Sequence, residues 1–194
     1  MKKKKVAVFA SGNGTNALQL IKHFKNHSHI QIGLIVTNHS KAGVIKIAEE
    51  NNIPFAVINK SLLANNSYMT ALLNLYDVDF IVLAGFLLLV PPFLVKLFDQ
   101  KMINIHPALL PKHGGKGMFG MQVHQAVIND GDPETGITIH YVNELYDKGK
   151  IIFQATCKVE KKDNAEKIAK KVQELEHEHL PAWSEKLIMQ MRYL

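Results

Sequence analysis

The sequence has one cysteine, Cys157, among its 194 residues. A single thiol excludes an internal disulfide framework, argues against a thiolate metal site and fits a reducing compartment. Long apolar runs are also lacking, because the longest, around residues 80–89, is too short to span a bilayer. The apolar run that follows the basic residues 2–5 is too short for a signal peptide. We therefore expect a cytoplasmic protein with no membrane partner.

Basic stripes interleaved with aromatic residues are absent as well. The formal net charge of +6 suits either anionic small molecules or nucleic acid, but without such stripes nucleic acid is the weaker reading. His177 and His179 lack the i, i+4 spacing of a metalloprotease helix. His23 and His27 have that spacing, but no third ligand is indicated. We expect small-molecule substrates, no nucleic acid and no metal.

Apolar runs alternate with helical patterns up to residue 106, which argues for a parallel sheet covered on both faces. Residues 136–142 and 151–159 then alternate like strands. A last helix follows, with Asp163 as its cap and Pro181 breaking or kinking it. The predicted fold is α/β, a Rossmann-like and mostly parallel sheet with antiparallel strands near the C-terminus and a C-terminal helix. The five predicted parallel strands lie at residues 6–10, 30–37, 55–58, 80–84 and 102–106.

The fifth strand ends in a polar pair, Asn104 and His106. Because side chains alternate along a strand, these two residues share one face. Pro107 ends the strand, so both side chains lie at the edge of the sheet where ligands bind in such folds. An amide and an imidazole placed together can bind and protonate a developing oxyanion. A polar strand end with a satisfied histidine is the alternative.

A glycine-rich loop at residues 11–16 follows the first strand and precedes a helix. Its backbone N–H groups and the helix N-terminus suit an anion. The spacing of Gly12, Gly14 and Ala17 also fits a dinucleotide fingerprint, but that reading wants an acid at the end of the next strand. The second strand ends at Thr37 and Asn38 without one. We therefore predict a single-phosphate site, with a structural turn as the alternative.

Two acidic residues further along the chain complete the candidate set. A carboxylate at Asp147 near His106 would favour the imidazolium form of that ring, although Asp147 alone is more often a turn residue. Gln173 and Glu176 flank the apolar stripe of the last helix, from which they can reach the same crevice. Solvent exposure is the alternative for both.

Four segments together resemble the phosphoribosylglycinamide formyltransferase family: VFASGNGTN at residues 8–16, VLAGF at 82–86, NIHPALLP at 104–111 and TIHYVNELYD at 138–147. The resemblance runs in order over most of the chain. It implies a one-carbon transferase that moves the formyl group of 10-formyltetrahydrofolate to the amine of 5-phosphoribosylglycinamide in purine biosynthesis. It also implies a single domain, residues 1–194, with a phosphate-binding half at about 1–100 and a folate-binding, catalytic half at about 101–194, acting as a monomer or homodimer.

Site residues transfer from the family position by position. The catalytic set would be Asn104, His106 and Asp147, and the residues supporting Asp147 would be Thr138 and His140. Glycinamide ribotide would be bound by Gly12, Asn13, Gly14, Thr15, Asn16, Ala17 and Leu18, and by Gln173, Glu174, Leu175 and Glu176. The folate would contact Leu87, Leu88, Leu89, Val90, Asn104, Asn143, Glu144, Leu145, Tyr146 and Asp147, largely through backbone groups.

The sequence departs from the family pattern in two places. Many members have an arginine where Leu88 stands and another near Leu62. The loop at residues 112–122 is longer than the family's proline–glycine form. No side-chain contact is therefore transferred to Leu62 or Leu88, and no substrate contact to the loop.

The mechanism implied by the resemblance begins when the neutral substrate amine attacks the formyl carbon. Asn104 and protonated His106 would donate to the oxyanion, while Asp147 keeps His106 charged and orders a water that relays protons. The alternatives are a formyltetrahydrofolate deformylase, a methionyl-tRNA formyltransferase and a non-catalytic nucleotide-binding module. The first usually has an extra N-terminal regulatory domain and the second a C-terminal nucleic-acid-binding domain, neither of which we expect here.

Overall fold

The computed structural model describes residues 2–191 and contains one sheet of seven strands. The strand order is β3-β2-β1-β4-β5-β6-β7. The first five strands pair in parallel, and the last two are antiparallel to their neighbours. The predicted fold class is confirmed. The strands are β1 Lys4–Phe9, β2 Ile30–Thr37, β3 Phe55–Val57, β4 Val78–Ala84, β5 Met102–His106, β6 Glu134–Tyr141 and β7 Ile151–Lys158.

Helices cover both faces of this sheet, because alternate side chains of each buried strand enter different apolar clusters. Val6 and Val8 of β1 belong to one cluster, whereas Ala7 and Phe9 belong to the other. The first cluster packs against α1 Thr15–Phe24, α2 Gly43–Glu50, α6 Met121–Asn129 and α7 Ala165–Gln190. The second packs against α3 Lys60–Ala64, α4 Asn66–Leu75 and α5 Pro92–Leu97. None of the helices within residues 2–191 has the length and apolarity needed to cross a membrane.

Helix α7 corrects two predictions. Its N-cap is Asn164, whose side chain accepts a hydrogen bond from Lys167 N, and not Asp163. Asp163 instead accepts from the backbone N of Glu160 and from Lys171 Nζ. Pro181 does not end the helix, which continues to residue 190. Buried side chains on both sides of the proline, such as Leu180 and Ile188, hold the helix on the core and outweigh the one lost backbone bond.

The short helix α3 was not predicted, because its five residues are too few to show a helical period. Asparagine side chains begin both α3 and the adjoining α4. Asn59 accepts from Leu62 N, and Asn65 accepts from Tyr68 N. Each cap satisfies a backbone donor that has no partner within its helix.

Three loops meet at the C-terminal edge of the parallel strands. The loop after β1 is joined to the loop after β4, because Ser11 N donates to the Gly85 oxygen at 3.0 Å and Leu87 N donates to Ser11 Oγ at 2.9 Å. The loop after β5 lies next to them in the strand order. This edge is where an open α/β sheet binds ligands.

The antiparallel strand β6 pairs with β5 and leads into a loop that folds back to the same edge. Its register sets His140 opposite Asn104 and Thr138 opposite His106. The loop between β6 and β7 carries Asp147 and then passes so close to Tyr141 that a Cβ atom on Gly149 would overlap the Tyr141 carbonyl oxygen. Glycine is therefore required at 149 for the chain to turn where it does.

We predict that Gly149→Ala lowers the free energy of unfolding by at least about 2 kcal/mol, since a backbone collision belongs to the severe class of single substitutions. Denaturant unfolding of the ligand-free protein measures the effect. Gly12→Ala is the matched control, because a Cβ at residue 12 has no atom within 4 Å, and its stability should stay within about 0.5 kcal/mol of the parent. Equal stability of the two variants would contradict the prediction.

Candidate active site

A cavity of about 720 Å³ opens at the C-terminal edge of the sheet. It extends from the glycine-rich loop after β1 to the end of β5, and residues 115–121, α6 and α7 close its sides. Half of the predicted site residues line it. They are Gly12, Asn13, Gly14, Thr15, Asn16, Leu87, Asn104, His106, Tyr146, Asp147, Gln173 and Glu176.

A smaller cavity of about 60 Å³ lies on the other side of Asp147. It is lined by apolar side chains of β4 and of the two loops that were predicted to hold the pterin. Asn104, Tyr146 and Asp147 border both cavities. The other predicted folate contacts on its wall are Leu88, Leu89, Val90, Asn143 and Leu145.

Several predicted residues do not line either cavity. Ala17 is buried in the core, and Leu18 donates its backbone N–H to the Gly14 oxygen within α1. On α7, Glu174 is exposed to solvent and Leu175 packs against the core. Glu144 is exposed in the loop after β6. Only every third or fourth residue of a helix faces one side, which explains why two of the four predicted α7 residues face elsewhere.

Asn104, His106 and Asp147 meet, as the sequence predicted. His106 Nδ1 lies 3.5 Å from Asp147 Oδ2, and Asn104 Nδ2 lies 3.4 Å from Asp147 Oδ1. The two carboxylate oxygens therefore face the two polar side chains that share one face of β5. The His106 and Asp147 side chains are only 4% and 11% exposed, which strengthens their electrostatic interaction relative to water.

Thr138 supports a different part of the site from the one predicted. Its hydroxyl donates to the Ala108 oxygen at 2.7 Å and accepts from Leu110 N at 3.0 Å. It thus holds the turn that follows His106 and does not contact Asp147. The cause is the β5–β6 register, which pairs Thr138 with His106 at the end of β5 and His140 with Asn104.

His140 lies beside Asp147, as predicted. The His140 Nδ1 donates a hydrogen bond to the backbone carbonyl oxygen of Tyr141 at 2.8 Å. In the neutral ring Nε2 is then the acceptor, and it receives a hydrogen bond from Asn104 Nδ2 at 3.1 Å. His140 Nε2 is also 3.6 Å from Asp147 Oδ1. His140 therefore orients the Asn104 amide that faces the Asp147 carboxylate.

The other ring nitrogen of His106 donates a hydrogen bond to the backbone. Its Nε2 lies 2.8 Å from the carbonyl oxygen of His113. Since a carbonyl only accepts, Nε2 carries a proton and the second proton of the imidazolium would sit on Nδ1, which faces Asp147. The proton that leaves and returns is thus the one beside the carboxylate.

Burial and charge oppose one another at this pair. Burial lowers the pKa of His106 below its ordinary value, although the Asp147 charge and the His113 carbonyl act to raise it. Burial alone would raise the pKa of Asp147, but His140, His106 and the Gly115 amide together hold it below its usual range. Asp147 is therefore a carboxylate at neutral pH, whereas the ligand-free His106 is largely neutral.

The glycine-rich loop and α7 form the opposite end of the large cavity. Gly14 precedes α1 with φ +76°, and a Cβ on it would lie 2.7 Å from the side chain of Val44. Asn16 Nδ2 donates to Glu176 Oε2 at 3.0 Å, and Gln173 Nε2 donates to Thr15 Oγ1 at 3.3 Å. The two α7 residues that were predicted to face the crevice, Gln173 and Glu176, thus contact the loop.

Other residues reach the site without having been predicted. His124 of α6 is 5% exposed, lines the large cavity and has no hydrogen-bond partner for Nδ1 within the described residues. Its position between the buried Val123 and Val127 was the available signal, because a polar residue on an apolar face often has a ligand or a partner. Gly115 N donates to Asp147 Oδ2 at 2.8 Å, a backbone contact that no residue pattern reveals.

Known proteins are similar to this chain in sequence and in fold. The formyl transferase family model matches residues 4–183. A chloroplastic phosphoribosylglycinamide formyltransferase of Arabidopsis thaliana is 41% identical over 182 residues, which cover 91% of this chain and 62% of that protein. The phosphoribosylglycinamide formyltransferase of Bacillus subtilis (strain 168) is 35% identical over 190 residues, with 95% of both chains covered.

A solved structure has the same fold. The phosphoribosylglycinamide formyltransferase from Anaplasma phagocytophilum superposes with a TM-score of 0.87 at 33% identity, covering 97% of this chain and 88% of that one. The chain spans about three-fifths of the length of the plant relatives it matches, so it corresponds to part of those proteins. The resemblance seen in the four sequence segments is confirmed, and the chain belongs to the formyl transferase family.

Proposed function

We propose that this chain transfers the formyl group of 10-formyltetrahydrofolate to the amine of 5-phosphoribosylglycinamide, a step of de novo purine biosynthesis. The observation that carries the proposal is the convergence of Asn104, His106 and Asp147 at one end of a cavity whose other end is a glycine-rich loop. An anion site and a set of oxyanion donors in one cavity suit a phosphorylated amine and an acyl donor.

The phosphate of the ribotide would lie on the glycine-rich loop. Gly14 allows the backbone to turn there, and the N-terminus of α1 adds positive potential. Gln173 and Glu176 on α7 would contact the ribose and the glycinamide end, because both face the loop across the cavity. The pterin would lie against the wall formed by residues 87–90, 143 and 145–147.

The catalytic step needs donors for the oxygen of the formyl group. Asn104 Nδ2 has two hydrogens, which contact His140 and Asp147 in the ligand-free protein, and one would turn to the formyl oxygen. His106 would donate from Nδ1 once it is protonated to the imidazolium, since the neutral ring keeps its hydrogen on Nε2. The 3.5 Å separation of Nδ1 from Asp147 Oδ2 is too long for a strong hydrogen bond, which leaves that hydrogen available to the formyl oxygen. Loss of one such donor typically costs ~10²–10³ in rate.

Asp147 would act on the proton of His106. Its negative charge favours the imidazolium, against the effect of burial. A water held by Asp147 would carry the proton from the attacking nitrogen to the leaving nitrogen of the folate, so no covalent enzyme intermediate is required. The two binding regions would hold the amine and the formyl carbon in attack geometry, which lowers the entropic cost of reaching the transition state.

We predict that consumption of 10-formyltetrahydrofolate by the purified protein requires 5-phosphoribosylglycinamide and yields the formylated ribotide. Absorbance of the folate product and mass measurement of the ribotide check this outcome. Consumption without the amine would instead identify a deformylase. No consumption, with nucleotide binding by calorimetry, would identify a binding module.

We predict that Asp147→Asn lowers kcat by about 10²–10³-fold, the range for removal of an electrostatic group from an acyl-transfer site. KM for both substrates should change by less than a few-fold, since asparagine keeps the size of the side chain. Steady-state kinetics measure both constants. Glu144→Gln, at an exposed position of the same loop, is the control. Full turnover by Asp147→Asn would remove Asp147 from the mechanism.

The carboxyl group of Glu176 has a second testable consequence. Burial raises its pKa from the ordinary 4.5 to about 7, and the hydrogen bond from Asn16 only partly opposes this shift. The folded protein therefore binds a proton that the unfolded chain has already lost between these two pH values. The contribution of Glu176 to stability is present below about pH 4.5 and is lost as the pH rises through about 7.

We predict that Glu176→Gln, which imitates the protonated acid, raises the thermal unfolding temperature at pH 8 and leaves it nearly unchanged at pH 4.5. The gain in unfolding free energy at pH 8 is at most about 3 kcal/mol, at roughly 1.4 kcal/mol per pKa unit. Glu174→Gln, at the exposed neighbouring position on α7, should show no such pH dependence. A pH-independent difference for Glu176→Gln would contradict the prediction.

A further inference from the structure

We propose that His113 and Asp132 are positioning residues that fix the side chain of His106 through the backbone carbonyl of residue 113. The inference rests on the proposed function, because it assigns these residues to the operation of His106. The geometry is a chain of two hydrogen bonds. Asp132 Oδ2 accepts from His113 Nε2 at 2.6 Å, and the His113 carbonyl accepts from His106 Nε2 at 2.8 Å.

The carbonyl reaches His106 because residue 113 has an unusual backbone conformation. Its φ is +53°, in the left-handed region that costs a non-glycine residue of order 1 kcal/mol or more. A contact elsewhere must hold the residue in this conformation. The His113 side chain is only 6% exposed, and its partner Asp132 is 15% exposed, so the bond between them is largely shielded from water.

Asp132 is well suited to anchor this side chain. It lies in the turn between α6 and β6, where its backbone N donates to the Val127 oxygen at 3.2 Å. Hydrogen bonds from Lys112 and His113 hold the pKa of its carboxyl below the usual range, so it is ionised at neutral pH. Lys112 contacts both Asp130 and Asp132, and its ammonium group balances one of the two negative charges of this acidic pair.

The anchored segment holds both members of the catalytic pair. His113 contributes its carbonyl to His106, and Gly115 contributes its amide to Asp147 Oδ2 at 2.8 Å. Gly114 lies between them, and a Cβ on it would be 3.3 Å from the Asp147 Cβ. A shift of residues 113–115 would therefore move the acceptor of His106 and a donor to Asp147 together.

The functional consequence is a fixed tautomer. While the His113 carbonyl accepts from Nε2, the neutral His106 ring must keep its hydrogen there and leave Nδ1 to exchange a proton beside Asp147. The titratable groups that face His106 are Asp147, His140, His113 and His124. Among them only Asp147 carries a negative charge. The orientation of the His106 ring therefore decides whether the nitrogen that exchanges a proton lies beside that carboxylate.

The test replaces the imidazole of His113 by side chains that differ in their donor. His113→Leu removes the N–H that bonds Asp132, whereas His113→Gln places an amide N–H near the position of Nε2. Asp130→Asn is the control, because Asp130 is half exposed and 4.0 Å from the His113 ring. Each variant is first checked for folding by thermal unfolding, and Asp132→Asn serves if His113→Leu does not fold.

Two readouts are measured on each protein. The 15N chemical shifts of the His106 ring, followed by NMR across pH 5–9 without substrate, report which nitrogen carries the hydrogen and the pH at which the ring titrates. Steady-state kinetics report kcat and KM separately. The ring signals are assigned by their loss in His106→Gln.

We expect the neutral His106 of the parent protein and of Asp130→Asn to carry its hydrogen on Nε2. In His113→Leu we expect a mixture of tautomers, a lower titration point and a fall in kcat of about 10- to 100-fold at nearly constant KM, the size associated with a displaced catalytic group. His113→Gln should recover most of kcat. Asp132→Asn should change the ring signals in the same direction as His113→Leu.

A folded His113→Leu or Asp132→Asn with the parent's ring signals and kcat would overturn the proposal. A fall in kcat with unchanged ring signals would also overturn it, because the effect would then be general damage to the loop. If the parent protein transfers no formyl group, the proposed function fails, and the ring signals alone still decide whether His113 and Asp132 hold His106.

Discussion

The antiparallel pairing of β6 with β5 is the constraint on which the site depends. The end of a parallel strand is enough to place Asn104 and His106 at the open edge of the sheet. A carboxylate that follows the next strand reaches this edge only if the chain returns to it after that strand. Because β6 runs the opposite way, its end lies at the start of β5. The loop between β6 and β7 must therefore fold back along β5, and residues such as Gly149 let it do so.

This constraint makes the site composite. Asp147 comes from the returning loop, Asn104 and His106 come from a central strand, and residues 113–115 close over both. Burial would by itself keep His106 neutral and favour a protonated Asp147. The neighbouring donors and charges outweigh the effect of burial on the pKa only for Asp147. The free site thus holds a carboxylate beside a mainly neutral imidazole.

The features that could be predicted from the sequence are those that depend on the local periodicity of apolar and polar residues. Buried strands appear as apolar runs, and the two-residue spacing of Asn104 and His106 places them on one face. Asp147 itself became a candidate through the family resemblance and not through its own turn. Contacts set by distant backbone were missed. Thr138 was predicted to support Asp147, but it holds the turn after β5 because of the β5–β6 register, which no single strand encodes.

The glycine-rich segment after β5 combines a conformationally free part with a part that is held in place by hydrogen bonds. Glycines at 115, 117 and 120 have positive φ, so this part of the chain gains little order from its own backbone. Its N-terminal end, however, is joined to the turn before β6 by the His113–Asp132 bond, 19 residues apart in the chain. The adaptable portion begins only after the atoms that contact His106 and Asp147. The positive-φ glycines at 117 and 120 therefore lie beyond the hydrogen bonds that orient His106 and Asp147.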